Sequence, residues 1–109
     1  MLSIVIPVYN EQDNVFPLYE RVNAALLQIG EDYEVIIVND GSSDKTEANL
    51  QTVAAKDPHF KIINFRRNYG QTAAVMAGID FASGDIIVGL DGDLQNDPAD
   101  IPKLLAKLA

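Results

Sequence analysis

Four short apolar runs alternate along the chain with segments of helical pattern, and this alternation limits the possible folds more than any other feature. The apolar runs cover residues 2–8, 33–39, 61–65 and 85–90. They are rich in isoleucine and valine and nearly continuous, as is typical of strands that are buried on both faces. The pattern therefore predicts an α/β domain with a mostly parallel sheet and right-handed crossover connections.

Helices are expected between the strands and after the last one. The predicted helices cover residues 15–29, 45–56 and 71–82, and a fourth begins near residue 98. Asn14 is the expected cap of the first helix, and Gly30 is expected to end it. Asp44 and Glu47 form a variant of the capping box before the second helix. The third helix is rich in alanine, and its expected core face consists of Ala73, Met76, Ala77 and Phe81.

The chain is acidic, and its composition excludes several functional classes. Its 109 residues suffice for one domain, residues 1–109, and 48% of them are apolar, which is enough for a core. The net charge is −8 and the eight basic residues are scattered apart from Arg66-Arg67, so binding to nucleic acid is not expected. The absence of cysteine excludes disulfides and thiolate chemistry. An acidic protein that binds a phosphorylated ligand needs a cation or backbone amides to offset the repulsion.

The end of the chain predicts that other segments or a partner complete the fold. The fourth helical pattern is still running at Ala109 without a stop signal, so we expect the chain to be a piece of something longer or to be completed by a partner. An edge of the sheet would then be exposed, which favours self-association. No apolar run reaches the length that spans a membrane, so this stretch is expected to be soluble.

Two aspartates follow the fourth apolar run, in the sequence Asp91-Gly92-Asp93. Because side chains alternate along an extended backbone, both carboxylates would face the same side and could bind one cation. Mg²⁺ is usually held by one or two carboxylates together with substrate phosphates. The alternative is an acidic turn, since Asp-Gly is also a strong turn signal. The metal-site interpretation is favoured because a second acid follows the turn signal and a buried strand precedes it.

Polar residues collect after strands 1, 2 and 4, where each strand reaches the carboxyl edge of the predicted sheet. Ligands of open α/β sheets bind at this edge, at the point where the strand order reverses. For a strand order of 3-2-1-4, residues 7–11 would lie beside residues 91–93, and residues 39–44 would complete one wall. The glycine-rich patterns of dinucleotide and P-loop sites are absent after strand 1. The sequence thus predicts a ligand site of a different kind between strands 1 and 4.

Four polar motifs occur in an order and at a spacing that resemble one enzyme family. They are Pro7-Val8-Tyr9-Asn10-Glu11, Asn39-Asp40-Gly41-Ser42-Ser43-Asp44, Arg67-Asn68-Tyr69-Gly70 and Asp91-Gly92-Asp93-Leu94-Gln95. Together they resemble the amino-terminal half of a family 2 glycosyltransferase of GT-A fold, over essentially all 109 residues. The most similar subgroup is that of dolichol-phosphate mannose synthase and bacterial polyprenyl-phosphate glycosyltransferases. The resemblance implies a truncated, Rossmann-like sheet of order 3-2-1-4 with helices on both faces.

The resemblance implies a nucleotide pocket in the loops after strands 1 and 2. Pro7, Tyr9 and Glu11 would line the pocket for the base and ribose, with Tyr9 offering a flat face to the base. Asp40 would accept a hydrogen bond from the base. The alternatives are a Tyr9 that packs its ring at the strand end and an Asp40 that forms an Asx turn before the helix. Asn39 departs from the family pattern, since many relatives carry another aspartate there.

The resemblance also implies a metal site after strand 4. Asp91 and Asp93 match the metal motif, would bind Mg²⁺ or Mn²⁺, and are the predicted catalytic residues. Asp91 would also contact the ribose, and Gln95 would add a further contact to the metal. Arg67 is a candidate for a phosphate contact or for pairing with a nearby acid. The single histidine, His59, is expected at the surface.

The implied activity is the transfer of a sugar, with inversion, from a UDP- or GDP-linked donor to an acceptor that is a polyprenyl phosphate in this subgroup. The metal would stabilise the leaving diphosphate as a Lewis acid, and the acceptor half would lie outside this chain. The full-length protein is expected at the cytoplasmic face of the membrane, and the present stretch by itself in the cytoplasm. One alternative is a metal- and nucleotide-binding fragment without catalysis. Another is a nucleotidyltransferase, although residues 7–11 lack the glycine-rich, basic loop of that class.

Overall fold

The computed structural model describes residues 1–30 and 32–89. Strands and helices alternate within these residues: β1 Leu2–Val8, α1 Val15–Leu27, β2 Tyr33–Asn39, α2 Thr46–Lys56, β3 Phe60–Asn64, α3 Gln71–Phe81 and β4 Ile86–Gly89. Each matches a predicted element, and the ends differ from the predicted ends by at most two residues. The fourth predicted helix lies outside the described residues. None of the helices described here is both long enough and apolar enough to cross a membrane.

The strands form one parallel sheet in the order β3-β2-β1-β4, as predicted. β1 pairs with β2 along its whole length and ends with Val8 opposite Asn39. Its other side pairs with β4, where Val5 lies opposite Gly89. Because the strand order reverses between β1 and β4, the carboxyl ends of these strands are the expected ligand site of such a sheet.

Helices cover both faces of the sheet, which is why consecutive strand residues are apolar. On one face, α1 and α2 pack in the larger core cluster, whose buried members include Ile4, Ile6, Leu18, Val22, Leu26, Ile37 and Leu50. On the other face, Ile36 and Val38 of β2 pack with Ala74 of α3. Neighbouring residues such as Ile36 and Ile37 therefore enter different cores, because side chains alternate across a strand.

The buried face of α3 differs from the predicted one. Ala74 and Gly78 are the buried residues of this helix. In the predicted core face, Met76 is 55% exposed and Phe81 is 51% exposed. The other two members, Ala73 and Ala77, are half-buried. The prediction was wrong because it assigned the larger side chains to the core. The helix backbone lies too close to the sheet for them, since a Cβ added to Gly78 would lie 2.3 Å from Cγ1 of Val5.

A buried polar cluster around Glu34 lies at the amino edge of the sheet. The Glu34 carboxylate accepts hydrogen bonds from the Ser3 hydroxyl at 2.7 Å, the Lys61 ammonium at 2.8 Å and the Ser83 backbone N–H at 2.7 Å. Burial opposes ionisation of Glu34, but the hydrogen bonds from Lys61, Ser3 and Ser83 outweigh it and lower its pKa to about 2. The cluster ties three strands and the α3–β4 loop together at the edge opposite the predicted ligand site.

Candidate functional site

The end of β1 and the β1–α1 loop present the predicted pocket residues at the carboxyl edge of the sheet. Pro7 is half-buried opposite Val38 of β2. Tyr9 is 47% exposed, so its ring can offer a face to a ligand. The half-buried Glu11 accepts a hydrogen bond from Nδ2 of Asn14 at 2.6 Å. Asn14 occupies the N-cap position of α1, but its side chain makes this contact instead of the predicted cap bond.

Asp40 follows β2 and is buried, with 3% of its surface exposed. Its carboxylate accepts the N–H of Tyr69 at 2.8 Å and the N–H of Gly70 at 3.0 Å, just before α3. The N–H groups at the start of α3 and the dipole of this helix favour a carboxylate at its amino end. The Asx-turn interpretation was wrong, because the partners of the carboxylate lie 29 and 30 residues further along the chain. Carboxylate oxygens can each accept a second hydrogen bond, so the contact of Asp40 with a base stays a prediction.

Asn39 makes the Asx-type contact and joins the ends of β2 and β3. Its Oδ1 accepts the N–H of Ser42 at 3.2 Å and the Ser42 hydroxyl at 2.5 Å. Its Nδ2 donates to Oδ1 of Asn64 at 3.0 Å, and the side chain is buried. A carboxylate at this position has no N–H to donate to Asn64. The sequence placed Asn39 in one wall of the site but did not predict its contact with Asn64. Its departure from the family pattern was the signal that could have indicated this contact.

The loops after β2 and β3 are in direct backbone contact at Gly41. This residue has a φ of +70°, and a Cβ added to it would lie 2.1 Å from the carbonyl carbon of Arg67. Both the left-handed conformation and the close contact require glycine. The two loops around Asp40 therefore hold each other in place without side chains between them.

Arg67 lies in the β3–α3 loop with its side chain against Tyr69. Its Nε donates a hydrogen bond to the Tyr69 hydroxyl at 3.1 Å, and its guanidinium carbon lies 5.1 Å from the centre of the ring, within cation–π distance. The salt bridges of residues 1–30 and 32–89 do not include Arg67. The predicted pairing with an acid is thus not seen in this part of the chain, and the phosphate contact stays a prediction.

Asp44 binds the start of α2, as expected of a cap, but Lys45 occupies the N-cap position. Among the described residues, no hydrogen bond to the Glu47 side chain completes the predicted capping box. The Asp44 carboxylate accepts the Thr46 N–H at 2.9 Å and the Thr46 hydroxyl at 2.5 Å. It also accepts the N–H of Gln12 at 3.4 Å, from the β1–α1 loop. Burial opposes ionisation of Asp44, but the hydrogen bonds from Thr46 and Gln12 outweigh it and hold its pKa below the ordinary value. Asp44 therefore connects two carboxyl-edge loops as an anion.

The residues predicted to bind the metal, Asp91, Asp93 and Gln95, lie outside the described residues. Gly89 is the last described residue of β4, and Asp91 follows it by two positions in the sequence. In the part of the chain that the structure describes, no group of three or more histidine, aspartate or glutamate side chains could hold a metal ion.

His59 is a surface residue, as predicted. Its ring stacks on Tyr33 with the centroids 4.1 Å apart, and its Nδ1 lies 2.8 Å from Oδ1 of Asp57. This group precedes β3 and lies at the amino edge of the sheet, away from the carboxyl-edge loops. His59 is therefore not part of the candidate site.

The fold defines the class of protein. Glucosyl-3-phosphoglycerate synthase from Mycobacterium tuberculosis, solved with Mn²⁺, uridine diphosphate and glucosyl-3-phosphoglycerate, superposes with a TM-score of 0.77 over 99% of this chain and 39% of its own. The two sequences are 24% identical, so the likeness establishes the fold alone. That fold is the predicted GT-A fold, of which the chain supplies the parallel sheet of order 3-2-1-4.

The family follows from the sequence comparison. The family model for Glycosyl transferase family 2 matches residues 3–109, and the chain belongs to this family. The undecaprenyl-phosphate 4-deoxy-4-formamido-L-arabinose transferase of Enterobacter sp. (strain 638) is 49% identical over 97% of the chain. The dodecaprenyl-phosphate galacturonate synthase of Rhizobium johnstonii is 46% identical over 98% of it. The chain spans 33% and 32% of the lengths of these two relatives.

Proposed function

We propose that this chain is the donor-binding part of an inverting glycosyltransferase that transfers a sugar from a UDP- or GDP-linked donor to a polyprenyl phosphate. The observation that carries the proposal is the position of Tyr9, Glu11 and Asp40 at the carboxyl edge, next to the reversal of strand order between β1 and β4. Ligands of open α/β sheets bind at such a reversal. The acceptor is proposed because both relatives described above are named for a polyprenyl phosphate.

The nucleotide would lie against the β1–α1 loop. The exposed ring of Tyr9 offers a stacking surface that tolerates different bases. Pro7 and Glu11 would border the base and the ribose, and Asp40 would accept a hydrogen bond from the base. Asp40 is suited to this role because its position is set by the two N–H groups before α3.

Mg²⁺ or Mn²⁺ would be held by Asp91 and Asp93, with Gln95 as a further ligand and Asp91 also near the ribose. These side chains offer oxygen donors, which hard divalent cations prefer. The net charge of −8 would repel a diphosphate unless a cation intervenes. When bound, the metal supplies Lewis-acid stabilisation of the leaving diphosphate. The exposed Arg67 is a further candidate for contact with a phosphate.

The acceptor would carry an anionic phosphate oxygen that is already a nucleophile. Positioning of that oxygen would then contribute more to the rate than a general base. Because the chain spans about a third of the length of its relatives, we propose that segments outside it bind the acceptor. For the full-length protein we propose a location at the cytoplasmic face of the membrane, where a nucleotide sugar and a lipid phosphate can meet.

Self-association through β4 is a separate proposal. Among the described strands, β4 pairs with β1 alone. Its residues Ile86 and Ile87 are 37% and 42% exposed and point to opposite faces of the sheet. An unpaired edge with exposed apolar side chains favours pairing with a second chain. Light scattering on the 109-residue chain should show a dimer or a larger species, and a monomer at all concentrations would contradict the proposal.

Calorimetric titration of the full-length gene product with UDP and with GDP, in the presence and absence of Mn²⁺, tests the donor site. One of the two nucleotides should bind when Mn²⁺ is present, and the affinity should fall when EDTA removes the metal. ADP serves as the control for recognition of the base. The proposal fails if neither UDP nor GDP binds in a metal-dependent way.

The same protein preparation distinguishes the alternatives. Metal-dependent binding without any transfer of sugar would indicate a nucleotide-binding protein that lacks catalysis. Release of pyrophosphate from a nucleoside triphosphate would indicate a nucleotidyltransferase. Release of the nucleoside diphosphate with formation of a glycosylated lipid phosphate is the result that the proposal expects.

A further inference from the structure

Backbone N–H groups of the β1–α1 loop form hydrogen bonds with side chains of residues 42–46, between β2 and the start of α2. Three successive backbone N–H groups of this loop donate hydrogen bonds to side-chain oxygens of the neighbouring segment. The Asn10 N–H donates to Ser42 Oγ at 2.9 Å. The Glu11 N–H donates to Thr46 Oγ1 at 2.9 Å, and the Gln12 N–H donates to Asp44 Oδ2 at 3.4 Å. These bonds satisfy three consecutive amides of the loop and restrain it against the neighbouring segment.

The connection is reciprocal, because side chains of the first loop accept N–H groups of the second. Oδ1 of Asn10 accepts the Ser43 N–H at 2.8 Å. Oε1 of Gln12 accepts the Lys45 N–H at 3.0 Å. Asn10 thus contributes both its backbone and its side chain to the connection.

The backbone of Asn10 also has an uncommon conformation. Its φ is +51°, and it is the one non-glycine residue with a positive φ in the described part of the chain. Asparagine tolerates this region better than most residues, but the conformation still costs free energy. Asn10 is exposed, so burial in the core does not explain the conformation. The hydrogen bonds to Ser42 and Ser43 do explain it, since both depend on the direction of the chain at this residue.

The connection extends from Asn10 to Asp40. The Ser42 hydroxyl that accepts the Asn10 N–H donates its own proton to Oδ1 of Asn39. Asn39 precedes Asp40, whose carboxylate is bound to the N–H groups before α3. Tyr9 and Glu11 flank Asn10 in the chain. The Asp40 N–H donates to the Val8 carbonyl at 2.8 Å, so the connection through Asn10 orders the loop beyond that bond.

We propose that Asn10 is a positioning residue of the donor pocket, which holds Tyr9 and Glu11 at a constant distance from Asp40. The inference rests on the proposed function and adds to it a residue that does not itself touch the nucleotide. With the connection intact, the pocket is formed before the donor arrives. Without it, part of the donor's binding free energy is spent on ordering the loop, so the affinity falls.

Variants of the full-length gene product test the inference. Asn10→Gly keeps the positive φ accessible and removes the acceptor for Ser43. The Kd of the Mn²⁺–nucleotide complex and the KM of the donor should rise about tenfold, the equivalent of one hydrogen bond. The kcat at saturating donor and the KM of the acceptor should not change, because bound donor restores the loop. The thermal unfolding midpoint should fall by only a few degrees, the effect of one lost hydrogen bond.

Ser42→Ala breaks the same connection from the other side and should raise the donor KM in the same way. The double variant should raise the donor KM by less than the product of the two single effects, because the bonds removed belong to one hydrogen-bond network. Asn23→Ala is the matched control. It removes a side-chain hydrogen bond to the Tyr33 hydroxyl, outside the candidate site, and should leave the donor KM unchanged.

The outcomes distinguish failure of the proposed donor binding from failure of the positioning role of Asn10. If the wild-type protein binds neither UDP nor GDP with Mn²⁺, the proposed function fails, and the positioning role fails with it. If the wild type binds and both Asn10→Gly and Ser42→Ala bind equally well, only the positioning role is overturned. A lower unfolding midpoint with an unchanged donor KM would also overturn it, because that result would show a purely structural role.

Discussion

Asp93→Asn is expected to abolish sugar transfer by the full-length gene product and to leave the fold intact. The proposed role of Asp93 is to hold the metal at the diphosphate, and an amide is a neutral and weaker ligand than a carboxylate. Removing a single group that stabilises charge in a transition state costs on the order of 10²–10³ in rate. Initial rates at saturating donor and Mn²⁺, together with the thermal unfolding midpoint, measure both parts of the prediction.

A matched charge change provides the control for Asp93. Asp80→Asn removes one carboxylate from an exposed position of α3 and should retain wild-type activity. The metal role of Asp93 is rejected if its variant transfers sugar at close to the wild-type rate. A variant that loses activity because it unfolds would be recognised by its lower unfolding midpoint.

Glu34→Gln is expected to destabilise the protein at neutral pH and to reduce its sensitivity to acid. The pKa of Glu34 is about 2 in the folded protein, below its ordinary value of 4.5. A lowered pKa means that the carboxylate stabilises the fold fully above about pH 4.5, and that this stabilisation is lost as the pH falls towards 2. The shift corresponds to at most roughly 3 kcal/mol, and solvent screening at the half-exposed Lys61 reduces that value.

Urea unfolding at a series of pH values measures this effect. The free energy of unfolding of the wild type should fall more steeply between about pH 5 and pH 3 than that of Glu34→Gln. Glu20→Gln, an exposed position on α1, is the control and should follow the wild type. Parallel curves for the wild type and Glu34→Gln would show that the buried carboxylate does not stabilise the fold through its charge.

The order of the strands and the edge of the sheet that carries Tyr9 and Asp40 could be predicted from the sequence. Continuous apolar runs predicted strands buried on both faces, and Ile36 and Ile37 do enter different cores. Parallel strands bring the loops that follow them to one edge, so Tyr9 and Asp40 were expected at the carboxyl edge, where they lie. Their contact with a nucleotide stays a prediction. The predicted metal residues Asp91 and Asp93 lie outside the described residues and remain predictions.

The contacts within that edge could not be predicted in the same way. The alternative for the Asp40 carboxylate was a bond within its own turn, but it binds the N–H groups of Tyr69 and Gly70. The core face of α3 was expected at Met76, but the helix contacts the sheet through Gly78. In both cases the decisive partner belongs to another element, and no pattern of neighbouring residues contains it.

The sequence by itself determined the strands, the helices between them and the family, and it predicted the edge at which a ligand would bind. These properties depend on the spacing of apolar residues and on short motifs, and both are contained within a single helix, strand or turn of the sequence. The tertiary structure alone decided the partners of Asp40, the connection through Asn10 and the face of α3. Those contacts join residues about 30 positions apart or more, and they depend on how closely two backbones can approach once the sheet has formed.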